Sequence, residues 1–223
     1  LQKSEGNPFF IEEIIRSLIE QGMVYQEADR WKARAEIREI NVPDTIQSVV
    51  LSRVDRLKEE ARYVLQCASV IGRLFRYRLL DHLTAYENKL DGYLNDFEDR
   101  DLVYEERAVP ELEYAFKHAF TQEATYQGIL ERGRKAFHHQ VALGIEKLYQ
   151  ERLEDYYDEL AHHYSRSDDP EKAIEYLLKA GEKAKHNYAN DTAISYYQRV
   201  LEMTEKCETN GNKWKLEALR GLG

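Results

Sequence analysis

The sequence predicts a mainly α-helical protein: a capped helix at the start, three helices with a small β-hairpin in the middle, and antiparallel helical pairs to the end. Three observations carry that expectation. Apolar residues recur at helical spacing over most of the chain, and over residues 112–118 the period drops to two. All four prolines (Pro8, Pro43, Pro110 and Pro170) fall where one segment gives way to the next.

Gly6-Asn7-Pro8 opens the first helix. Asn7 is a favoured N-cap, Pro8 suits the first helical position, where its missing N–H is no loss, and Gly6 permits close approach of a ligand or another backbone. Phe10, Ile11, Ile14, Ile15, Leu18 and Ile19 then recur at helical spacing, Glu12 and Glu13 sit at the positive end of the dipole, and Gly22 ends the run. Residues 23–26 and 30–40, with Trp31, lack that period and read as a short hairpin or irregular link; Pro43 precedes the run 44–57. A core-facing helix over 59–71 aligns Ala61, Val64, Leu65, Ala68, Val70 and Ile71 and stops at Gly72. A second covers 76–83, and a third covers 86–99 with Leu90, Tyr93, Leu94 and Phe97 on one face. Leu112, Tyr114, Phe116 and His118 then alternate with Glu113, Ala115 and Lys117, with 102–106 as a partner strand across the turn at 108–110. Three helices followed by a hairpin is the winged-helix order.

Beyond Thr121 every segment is helical in period: 121–130, 134–150, then pairs. Tyr157, Leu160, Ala161 and Tyr164, followed by Ala173 and Leu177, fit the skeleton of a tetratricopeptide repeat, in which small residues let two antiparallel helices approach. Leu177, Ala180, Gly181 and Ala184 with Ala193 and Tyr197 fit it again, sharing the helix 170–186; 216–222 begins a further helix.

The 41 acidic residues outnumber the 32 basic ones, for a net charge of -9, which offers no general attraction to phosphate backbones or anionic membranes. The third helix of the middle part carries Glu87, Asp91, Asp96, Glu98 and Asp99 against Lys89 and Arg100, the wrong sign for a DNA reader. Cys67 and Cys207 have neither disulfide nor metal spacing, and no apolar run approaches the roughly 18 residues of a membrane span. A cytoplasmic protein bound to neither DNA nor membrane is expected. The first residue is Leu1, and the expectation is a piece of a longer polypeptide. No Gly-x4-Gly-Lys-Ser/Thr loop, apolar strand ending in paired acids or glycine-flanked nucleophile occurs, so no catalytic residue is expected and no nucleotide hydrolysis by this segment alone. The pairs His138-His139 and His162-His163 imply no metal site, since adjacent helical residues point about 100° apart and each pair then offers one ligand.

Three stretches in order carry a family resemblance: 4–13 (SEGNPFFIEE), 42–57 (Val42-Pro43-Asp44-Thr45-Ile46-Gln47 through Leu51-Ser52-Arg53-Val54-Asp55-Arg56-Leu57) and 116–123 (FKHAFTQE). Together they resemble STAND-type signal-transduction ATPases, in particular bacterial predicted ATPases attached to class III adenylate/guanylate cyclases or kinases and followed by tetratricopeptide repeats. The resemblance implies a helical lid over 1–57, a winged-helix domain over 58–131 and incomplete tetratricopeptide-like repeats over 132–223. It implies that Gly6, Asn7 and Pro8 form the family's Gly-x-Pro element, whose proline packs on the adenine of ATP or ADP, and that His118 is a candidate for the nucleotide phosphate. The partners it implies are an upstream nucleotide-binding core of the same chain and a protein or small-molecule signal on the repeats. Two other readings are a tetratricopeptide scaffold without nucleotide dependence and a winged-helix transcriptional regulator.

Overall fold

The computed structural model describes residues 8–27, 30–33, 46–86, 89–204 and 211–222. Among these residues there are eleven α-helices and two small antiparallel sheets. Helix α1 (Pro8–Glu20) leads into a hairpin of β1 (Val24–Glu27) and β2 (Arg30–Ala33), in which Val24 faces Ala33 and Glu27 faces Arg30; α2 (Ile46–Asp55) follows. The hairpin resolves the choice between hairpin and irregular link. The apolar face expected of α1 is divided: Ile11, Ile14 and Leu18 are half-buried, while Ile15 and Ile19 remain exposed.

The middle part runs α3 (Glu59–Ile71), β3 (Leu74–Arg76), α4 (Tyr77–Thr84), α5 (Leu90–Asp99), β4 (Val103–Arg107) and β5 (Glu113–Phe116), with sheet order β3-β5-β4. Strand β3 corrects the expected helix 76–83: Arg76 pairs with Glu113 in the sheet, and α4 begins one residue later. A three-residue strand is too short to display a period of two. It emerges from Gly72, whose φ of +148° is open to glycine and strained for other residues. Its central Phe75 is buried against Tyr114 and Phe116, at centroid distances of 6.0 and 5.7 Å. Ala61, Val64, Leu65 and Ala68 of α3 and Leu90, Leu94 and Phe97 of α5 complete this core, as their spacing predicts.

Helices α6 (Ala119–Gln127) and α7 (Glu131–Leu148) lead through a 3-10 turn (Gln150–Tyr156) to α8 (Tyr157–Tyr164), α9 (Pro170–His186), α10 (Asn190–Thr204) and α11 (Gly211–Leu222). Asp169 caps α9, accepting from the Lys172 N–H at 3.0 Å, with Pro170 at the first helical position. Leu160, Ala161, Tyr164, Ala173 and Leu177 are all buried where α8 meets α9. The Tyr164 and Tyr176 rings stack there, 5.4 Å apart and nearly parallel. Farther along, Tyr197 of α10 fills a slot between α9 and α11. A Cβ built on Gly181 would lie 2.9 Å from its ring, and one on Gly221 only 2.3 Å. None of the helices among the described residues is long and apolar enough to cross a membrane. Cys67 is buried in α3, and Cys207 lies outside the described residues.

Two predictions follow from this packing. Gly181→Ala is expected to destabilise the protein by about 1–2 kcal/mol, because displacing a buried ring outweighs the helix-propensity gain. Gly92→Ala in α5, where a Cβ meets nothing within 4 Å, is expected to stabilise by about 0.5–1 kcal/mol. Urea midpoints of the two variants moving in the same direction would contradict this account. The second prediction concerns Glu146 of α7, which accepts from the Tyr176 hydroxyl at 2.5 Å and from Lys172 Nζ at 3.0 Å. Burial acts to raise its pKa, but these hydrogen bonds outweigh burial and hold it below the ordinary value of 4.5. A depressed folded pKa stabilises above the unfolded value, and that gain is lost as pH falls through the folded one. Glu146→Gln is therefore expected to cost about 1–2 kcal/mol at pH 7, with the gap to the parent closing as pH falls below about 4.5. Denaturant titrations at pH 7 and pH 3 measure both ends.

Candidate functional site

Of the residues singled out in the sequence, Gly6 and Asn7 lie outside the described residues. Pro8 is exposed at the first position of α1. His118 immediately precedes α6, in extended conformation (φ -125°, ψ 130°), and its carbonyl accepts from the Thr121 N–H at 3.0 Å, closing the first turn of that helix.

A chain of charged groups brings these positions toward one another. Arg16 of α1 pairs with Glu12 one turn earlier at 2.9 Å and with Asp101, which also receives Lys117 Nζ. Asp101 occupies the left-handed region (φ 56°), which turns the backbone between α5 and β4 so that its carboxylate meets both cations. Glu12 is held below the ordinary carboxylate range, chiefly by the Arg16 hydrogen bond, with the charges of Arg16, His118 and Lys117 adding to it. Lys117 is the residue before His118, so the ion pairs Glu12–Arg16–Asp101–Lys117 tie the first turns of α1 to the chain beside His118. At its other end α1 is pinned by the buried Arg53 of α2. Arg53 donates to Glu20 from Nε at 3.0 Å and from Nη2 at 2.8 Å, and to the Arg100 carbonyl at 2.7 Å. Such a forked, charge-assisted arrangement fixes direction as well as distance.

The histidine pairs behave differently from expectation. His138 of α7 and His163 of α8 are buried with their Nδ1 atoms 2.8 Å apart, and His138 Nε2 lies 3.0 Å from the Tyr126 hydroxyl of α6. His162 joins them: one ring nitrogen from each of the three lies within 4.8 Å of the others. The rule of one ligand per adjacent pair therefore fails for His162-His163. Their Cα–Cβ directions diverge, yet the seam between α7 and α8 receives rings from both sides, with His162 5.9 Å and His163 5.1 Å from His138 by centroid. The rule holds for the other pair, whose His139 turns away to lie edge-on to Tyr164. A tertiary seam set this cluster, and spacing within either helix carries no signal of it. Burial is the main cause that lowers the pKa of His138, to about 3, and of His163, well below the usual value, with neighbouring imidazoles and Arg166 adding to it; His162, whose residue as a whole is exposed, is lowered to about 4 by partial desolvation of its ring and by Arg166 and Arg199.

Replacement of Asp101 by Asn keeps a residue tolerant of left-handed backbone while removing the carboxylate between Arg16 and Lys117. Asp101→Asn is expected to speed amide hydrogen exchange in α1 by roughly threefold or more and to leave α9 unchanged. Equal protection of α1 in the two proteins would mean that this ion-pair chain does not hold the helix.

No protein-family profile matches the chain, and a search of curated proteins finds no significant relative.

Proposed function

We propose that this chain is the lid, winged-helix and sensor-repeat arm of a nucleotide-switched signalling ATPase, working with a P-loop core that supplies phosphate and magnesium binding. The observation that carries the reading is the ion-pair chain Glu12–Arg16–Asp101–Lys117, which ties the helix that Pro8 opens to the residue next to His118. Three further features support it. The order α3-β3-α4-α5-β4-β5 with sheet order β3-β5-β4 fits a winged helix. In α5, Asp91 accepts from Tyr77 and Asp96 pairs with Arg100, so its acids serve intramolecular contacts and repel nucleic acid. The exposed Ile15 and Ile19 of α1 offer apolar surface to an adjoining core.

In this mechanism ADP is clasped between the core and the α1 edge, with Pro8 against the base and His118 toward the phosphates. Signal binding on the α8–α11 pairs favours an open, ATP-bound arrangement that drives the output. The switch requires that the signal bind the two arrangements with different affinity, since equal affinity shifts nothing.

The test uses the full-length polypeptide that joins a P-loop core to these residues. Pro8→Gly is expected to weaken ADP affinity by about tenfold, equivalent to about 1.4 kcal/mol, and small-angle scattering is expected to differ between the ADP and ATP states. Unaltered ADP affinity together with identical scattering profiles would leave a repeat scaffold without nucleotide dependence as the function.

A further inference from the structure

We propose that His138, His162 and His163 form a binding site for a borderline transition-metal dication, of which zinc is the representative, that clamps α7 to α8. Three imidazole donors from consecutive antiparallel helices converge within 4.8 Å. A tetrahedral zinc site with N–metal bonds of about 2.0–2.1 Å needs its donor nitrogens about 3.4 Å apart. The His138–His163 pair must therefore open by about half an ångström from 2.8 Å, while His162 closes from the other side. All-imidazole donor sets suit zinc, copper, nickel or cobalt; magnesium and calcium demand oxygen.

The surroundings supply what such a site requires. The Tyr126 hydroxyl engages His138 Nε2 and so leaves Nδ1 as the metal-facing atom. In the metal-free pair one Nδ1 carries a proton donated to the other. On binding, that imidazole shifts its proton to Nε2, so both Nδ1 lone pairs reach the metal and no proton is released. A cavity of about 350 Å³ opens beside His138 and His162, giving an entry path and room for a water in the fourth position. Glu123 lines the same cavity, together with Arg73 and Arg166. One group competes: the exposed Arg166, one turn beyond His162, donates from Nη1 to His162 Nδ1 at 3.1 Å. A metal must displace this guanidinium, whose exposed side chain is free to swing into water. This reading stands independently of any nucleotide switch.

Zinc binding measured calorimetrically, with cobalt as a spectroscopic substitute, tests the site. The parent protein is expected to bind one zinc per chain, with an unfolding midpoint that rises with zinc concentration. His162→Ala, at an exposed position that does not endanger folding, is expected to weaken binding by about tenfold or more. Arg166→Ala is expected to strengthen it several-fold by removing both competitor and positive charge. A purely structural His138–His163 hydrogen bond predicts no such opposite pair of effects. His186→Ala, far along α9, serves as the control and is expected to bind as the parent does. Absence of one-to-one binding would overturn the proposal, as would affinity unchanged in both His162→Ala and Arg166→Ala. A midpoint raised by inorganic phosphate and unmoved by zinc would do the same, since it would make the cavity an anion site built on Arg73 and Arg166.

Discussion

Where α3 and α4 pack against α7, Arg76 adds a polar clamp between the sheet and the helical pairs. Its guanidinium lies over the rings of Tyr149 and Tyr156, 4.9 and 4.8 Å from their centroids, and pairs with Glu159 of α8. The two rings are themselves stacked at 4.4 Å, and the Tyr149 hydroxyl donates to Glu111 at 2.6 Å, closing a loop of contacts back to the sheet. Desolvating a guanidinium is costly, and a carboxylate with two aromatic faces offsets that cost where a carboxylate alone often does not. Because Arg76 ends β3, the same residue terminates a strand, sets the start of α4 and fixes the 3-10 turn. The clamp reaches α8 one turn before His163, in the helix that meets α7 at the histidine seam.

Arginine recurs at the joints of this acidic molecule. Arg16 and Arg53 hold α1 to the turn after α5, and Arg76 holds β3 to α8. Each spans residues far apart in sequence, and each presents a planar fork that a lysine could not reproduce. A negative overall charge thus coexists with internal cations that are spent on carboxylates, carbonyls and rings.

How much of this was legible in the sequence depended on range. The buried faces of α3, α5 and α9 were readable because apolar period, Gly72 and Pro170 act within one element. The small residues at Ala161, Ala173 and Gly181 announced close helix packing for the same reason. Strand β3 was hidden because three residues carry no period, and its pairing partner Tyr114 lies beyond two helices. The outward turn of Ile15 and Ile19 was hidden because helical spacing reports which residues share a side, and only tertiary contacts decide how much of that side is covered. The convergence of His138 with His162 and His163 was hidden as well. It depends on side-chain reach across the seam between α7 and α8. The link from Arg16 to Lys117 rests on Asp101, whose left-handed backbone nothing in its local sequence announces.

Tyr197, seated between Gly181 and Gly221, gives the helical pairs a mechanical property. One turn along, Leu177 on α9 and Glu217 on α11 stand where the glycines stood, so there is no second notch for the ring to occupy. Sliding α9 past α10 by a turn would drive a Cβ into an aromatic edge, and the array lacks a neighbouring register in which to rest. Tyr197 thus acts as a key that fixes the register of α9, α10 and α11 against sliding.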